Sequence, residues 1–170
     1  REIVMRSVPS CEPDLMKVCV LTRYSRLGAS CRLRFFQYLP MLESEGIDIA
    51  VSALFSDRYV EILQNGRRDG VEVAVGYFKR LMNVLALRKY DLLWIEKEAF
   101  PWLPAWLEQL LVFGKTPVVL DFDDAVFHNY DQNSNWAVRN TLGDKYKKII
   151  RGSALVSRSR QPAHRPGVNG

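Results

Sequence analysis

Four short apolar runs, 17–22, 47–54, 91–96 and 117–120, recur along this chain with helix-length segments between them. Each run is too short for a buried helix and reads as a strand apolar on both faces. Strands of that kind need helices on either side of the sheet, and consecutive strands joined through helices run parallel. Right-handed crossovers then leave few topologies. The expected fold is α/β, a Rossmann-like three-layer sandwich with a parallel sheet of about five strands. Ala154–Ser157 reads as a fifth strand cut short.

The intervening segments carry helix signals. Cys31 to Glu45 places Phe35, Leu39 and Leu42 on one face, with Pro40 predicting a kink or an early stop and Gly46 a left-handed cap. Ser56 caps a helix to Gln64, and a second covers Val73 to Arg88. Phe100 to Phe113 opens on prolines and closes at Gly114, with Trp102 and Trp106 expected in the core. Residues 126–133 read as a loop. The last helix starts at Ser134 or Asn135 and runs to Arg151, with Leu142, Tyr146, Ile149 and Ile150 inward. Its Lys145, Lys147, Lys148 and Arg151 read as a solvated basic face that also permits attraction to an anionic membrane.

Of 170 residues, 48% are hydrophobic and 25% charged, which excludes fibrous and wholly disordered classes. The net charge of +5 is uneven: residues 158–170 supply +3, residues 1–16 supply −1, and the remainder +3. That bias is too small to argue for nucleic acid. Cys11, Cys19 and Cys31 show no metal spacing and fit a reducing compartment. Cys31, near a helix start, is placed where its thiol could be acidified. Residues 1–15 read as a disordered leader, 16–157 as the folded domain, and 158–170 as a disordered tail. The abrupt change of composition inside the fifth strand suggests a truncation or frameshift.

Two segments carry chemistry. Pro117–Ala125 runs from a strand into Asp121, Asp123 and Asp124. Ligands of open α/β sheets bind beyond the carboxyl ends of the strands, and three like charges there are not placed for stability. The cluster is a magnesium site, a hydroxyl-binding or general-base site, or a loop-ordering cap. His128 and Tyr130 border it in sequence, and at least one acid of Glu96-Lys97-Glu98 should reach the same edge. The other segment is the first loop, Tyr24 to Arg34. Its small residues Gly28, Ala29 and Ser30 let backbone amides approach an anion, and Arg26, Arg32 and Arg34 add charge suited to phosphate. The alternative is a tight turn with solvated arginines. The pattern is neither a dinucleotide fingerprint nor a P-loop.

The order of these parts resembles the N-terminal domain of a family 4 (group 1) glycosyltransferase with the GT-B fold. The resemblance spans residues 16–157. It rests on 17–22 and its small-residue loop, Arg32–Pro40, Leu42–Ile49, Tyr90–Ile95, the Asp121-Phe122-Asp123-Asp124-Ala125 run, Lys145 and Ala154-Leu155-Val156. It implies transfer of a sugar, with retention, from a nucleotide-sugar donor to a sugar or lipid-linked acceptor, in a cleft between two Rossmann-like domains. Gly28, Ala29, Ser30 and Arg32 would approach the donor phosphates. Asp123 and Asp124 stand where many members carry a catalytic His-Asp pair, and Glu98, Asp121 and His128 would border the acceptor. No cofactor or metal is implied, the expected location is cytoplasmic or peripheral at the inner membrane face, and the missing partner is a C-terminal donor-binding domain. A chain without that domain is expected to be inactive alone. The rival readings are a magnesium-dependent phosphohydrolase using Asp121 and Asp123, and a non-catalytic interaction module.

Overall fold

Every apolar run forms a strand. The computed structural model describes residues 15–112, 114–122 and 128–158. The strands are β1 (Met16–Tyr24), β2 (Ile47–Phe55), β3 (Leu92–Glu96), β4 (Val118–Phe122) and β5 (Leu155–Arg158). They form one sheet in the order β2-β1-β3-β4-β5, and every pairing is parallel. The fold is the expected Rossmann-like sandwich. Alternation along the strands divides the core in two. Val18 and Val20 face Phe35 and Trp94 on one side. Cys19, Leu21, Leu93, Ile95, Val118 and Leu120 face the larger helical layer on the other.

The helices are α1 (Ala29–Cys31), α2 (Leu39–Ser44), α3 (Asp57–Gln64), α4 (Gly70–Leu85), α5 (Ala105–Val112), α6 (His128–Asp131), α7 (Trp136–Leu142) and α8 (Lys145–Gly152). Several boundaries differ from expectation for local reasons. The helix expected over 31–45 is split. A π-type turn covers Arg32–Phe36, and Pro40 enters the first turn of α2, where its missing N–H costs nothing. Gly46 closes α2 at φ 81°. α4 begins before Val73 because the Asp69 carboxylate accepts the amides of Val71 (2.9 Å) and Glu72 (3.2 Å), offsetting a β-branched start. Ser56 caps α3 as expected, accepting from the Tyr59 amide. The segment from Phe100 is irregular until Ala105, since Trp102 sits at φ 60° between two prolines. A single helical turn, α6, occupies part of the expected 126–133 loop.

The last helix breaks at Gly143-Asp144 into α7 and α8. Ile150 is left exposed, whereas Leu142, Tyr146 and Ile149 are core as expected. Trp102 and Trp106 are also exposed, at 51% and 58%, and do not pack in the core. α4 lies so close to β2 that a Cβ on Gly76 would meet the Leu54 carbonyl oxygen at 2.5 Å. Only glycine fits there without moving the helix.

Candidate functional site

The carboxyl ends of β1, β3 and β4 meet at one rim, and the chain after β1 folds back over it. Parallel register sets Glu96, the last residue of β3, directly beside Asp121 of β4. Glu96 is 2% exposed and accepts from three donors, one at the end of β1 and two in the first loop. These are the Arg23 amide (2.9 Å), the Ser30 hydroxyl (3.1 Å) and the Cys31 thiol (2.9 Å). Asp121 is buried beside it and accepts both arms of a fork from Arg34, with Nε at 3.2 Å. Arg34 also donates to the Phe122 carbonyl at 3.2 Å. The two segments singled out from the sequence thus meet on a common edge. The acid that receives Ser30 is Glu96, with Asp121 tied to the loop through Arg34.

The loop is shaped by further contacts. Gly28 precedes α1 and its amide donates to the Ser25 carbonyl at 3.0 Å. A Cβ at Gly28 would meet the Tyr24 Cβ at 2.7 Å, so the tight return needs glycine. Asp57, at the start of α3, accepts from the Ser25 hydroxyl and from the Leu27 amide. Arg26 stacks on Phe36, its guanidinium 5.0 Å from the ring centroid. Ala29 and Arg32 are exposed, and Ser30 is half-buried. The Cys31 thiol is not acidified. Burial first, and then the charge and hydrogen bond of Glu96, push it up to about 12. A backbone hydrogen bond with Tyr24 and the charge of Lys97 act in the opposite sense without outweighing them.

Glu98 enters a second, deeper cluster. It lies between two left-handed residues, Lys97 at φ 61° and Trp102 at φ 60°. Such backbone costs on the order of 1–3 kcal/mol per residue and persists only where surroundings enforce it. They do so here. Lys145 of α8, read as a surface charge, is wholly buried and pairs with Glu98 (2.8 Å) and Glu108 (3.3 Å). Its ammonium also donates to the Phe100 carbonyl at 2.5 Å. Glu108 accepts the amides of Ala99 (3.1 Å) and Phe100 (2.7 Å). The Tyr130 hydroxyl donates to the Glu98 carboxylate, 2.8 and 3.0 Å from its two oxygens, and accepts from the Trp102 amide at 2.9 Å. Burial raises the Glu108 carboxyl, and Lys145 opposes the rise. Burial and the Glu98 charge together raise the Tyr130 hydroxyl.

The sequence-derived residues therefore divide. Gly28, Ala29, Ser30, Arg32 and Asp121 lie at the rim. Glu98 lies in the cluster below the strained loop. His128 begins α6, two residues from Tyr130, with only its backbone described. Asp123 and Asp124 lie outside the described residues. Among the described residues, no three His, Cys, Asp or Glu side chains gather as a metal site. No helix of the described residues is long and apolar enough to cross a membrane. No family model, curated protein or solved structure matches this chain.

Proposed function

We propose that this chain is the acceptor-side, N-terminal half of a GT-B glycosyltransferase, which takes its sugar from a nucleotide-sugar and needs a second domain for turnover. The meeting of the first loop with the β3 and β4 ends carries the reading. Ser30, bonded to Glu96, ties the small-residue turn to the edge where a nucleotide's phosphates would lie, with exposed Arg32 close in sequence. Asp123 and Asp124, two and three residues after Asp121 in the sequence, would serve the reacting sugar. Transition-state stabilisation in this chemistry needs groups on both sides of the cleft, so the half alone binds without turning over.

The phosphohydrolase reading asks Asp121 to bind magnesium, but the Arg34 fork already engages both of its oxygens. Peripheral membrane contact draws support from exposed Trp102 and Trp106 beside α8, whose Lys147, Lys148 and Arg151 are exposed. That combination suits an anionic bilayer surface and a lipid-linked acceptor.

The test is an amide-resolved NMR titration of the chain with a nucleoside diphosphate and, separately, with magnesium. The expected result is perturbation at 26–32 and at Glu96 by the nucleotide, with no donor-dependent transfer by the chain alone. Adding a separately produced nucleotide-binding domain should then restore transfer. Transfer by residues 1–170 alone would overturn the half-enzyme reading. Saturable magnesium binding lost in Asp121→Asn, without any nucleotide effect, would establish the phosphohydrolase instead.

A further inference from the structure

Helix α4 is apolar on two opposite sides. One side, with Val73, Gly76, Tyr77, Arg80 and Val84, packs toward the sheet. The other carries Val71, Val75, Phe78, Met82 and Leu85, exposed at 73, 41, 63, 43 and 69%. The outward residues are spaced four, three, four and three apart. That is the spacing of a two-helix seam, in which a 3.5-residue repeat keeps one stripe facing a partner helix along its length. A helix needed only to cover a sheet has no use for it.

We infer that α4 pairs with α4 of a second copy of this chain. The stripe runs the whole helix, about 24 Å for 16 residues. At these exposures it offers about 600 Å² per copy, so a two-fold pair buries at most about 1,200 Å², which reaches the lower bound of specific interfaces. The patch also lies at the upper end of what monomers leave exposed. A two-fold contact needs a self-complementary surface, and a straight stripe of similar-sized apolar residues provides one. The chain's own ends suit it less. Residues 159–170 hold only Ala163 and Val168 as apolar side chains, and residues 1–14 are interrupted by Pro9 and Pro13. An anionic membrane would favour a basic rim along the stripe, whereas Lys79 is the one exposed basic residue within α4, and Arg67-Arg68 and Arg88-Lys89 lie beyond its ends.

The experiment is sedimentation equilibrium of the full chain from about 5 to about 200 μM, which spans micromolar dissociation constants. The comparison is Phe78→Lys/Leu85→Lys, which should fold because both sites are already exposed. Near-ultraviolet circular dichroism checks that it does. The expected result is a concentration-dependent dimer for the parent and a shift in dissociation constant of at least about tenfold for the variant. A parent that stays monomeric throughout overturns the inference, as does a dimer indifferent to the double substitution. Two further outcomes overturn it by naming another occupant. One is a monomer that dimerises only when residues 1–14 are removed. The other is a monomer captured by phosphatidylglycerol vesicles in a manner that Phe78→Lys abolishes.

Discussion

Glu96 and Glu98 stand two residues apart, yet the fold spends them differently. Glu96 ends a strand and takes its hydrogen bonds from a hydroxyl and a thiol of the first loop and from the Arg23 amide near the end of β1. Glu98 sits in strained backbone and meets a buried ammonium and a tyrosine hydroxyl. Side-chain hydroxyls and thiols can turn toward an arriving ligand. A buried ion pair cannot be opened without stranding a charge. The first arrangement suits a binding rim and the second a clamp that fixes the rim's position. Glu108 and Lys145 extend the clamp from α5 and α8 to the loop after β3, so three elements set where the β3 end lies.

The contrast breaks most visibly at Lys145. Lys145→Met keeps the stem's bulk but leaves two buried carboxylates without their ammonium. The expected loss is about 3–5 kcal/mol at neutral pH, measured by urea unfolding. The loss should shrink in acid. Glu108 already binds a proton more tightly folded than unfolded, and without Lys145 it binds it more tightly still. Stability of the variant therefore rises as pH falls from the raised folded value toward the ordinary carboxylate range, near 4.3. A variant whose deficit is constant between pH 8 and 5 would show that the clamp is not electrostatic.

The rim's own pair comes next. Arg34→Met leaves Asp121, only 4% exposed, without its fork. The expected cost is about 2–3 kcal/mol, since charged hydrogen bonds are stronger than neutral ones and Arg34 retains some solvent contact. It should also loosen the first loop, read as faster amide exchange at 26–34. Unchanged exchange there would separate loop order from this ion pair.

Legibility follows the same divide. The strands, their parallel order and the rim were readable, because apolar runs between helices allow little else. Ser30 and Asp121 could be placed at the rim from position alone. The clamp was hidden by residue type, since a lysine within a basic run reads as solvated. The signal that could have found it was position: within α8, Lys145 stands beside Tyr146 and four residues before Ile149, both buried. Trp102 and Trp106 misled in the opposite sense. An apolar segment between prolines reads as core, but Trp102 joins no helix and stands in left-handed backbone with its side chain exposed, as is that of Trp106 on α5. Asp57's grip on Ser25 and Leu27 left no local trace, because it joins elements about 30 residues apart.

A smaller effect separates the clamp's charge from its neutral partner. Tyr130→Phe removes the hydroxyl that joins Glu98 to the Trp102 amide while keeping the ring's contacts with Trp102 and Tyr146. About 1–2 kcal/mol should be lost in urea unfolding, since both a carboxylate and an amide lose a partner. A loss as large as that of Lys145→Met would mean that the hydroxyl, and not the ammonium, holds the loop.

The smallest expected change in stability falls at Glu96, and there the readout is chemical. Glu96→Gln can keep its oxygen for the Arg23 amide, turn its NH2 to the Ser30 hydroxyl, which is able to accept, and remove the charge that disfavours a Cys31 thiolate. The thiol should fall from about 12 toward its ordinary range, yet remain above it, because burial is the larger cause. Alkylation by iodoacetamide at about pH 8.5, followed at Cys31 by peptide mass, should quicken several-fold, since the thiolate is the reactive form. Cys19, raised to about 11 mainly by burial and away from Glu96, supplies the internal control and should not change. If both cysteines accelerate together, the variant has opened the core. If neither does, burial alone silences Cys31, and the charge of Glu96 plays no part in it.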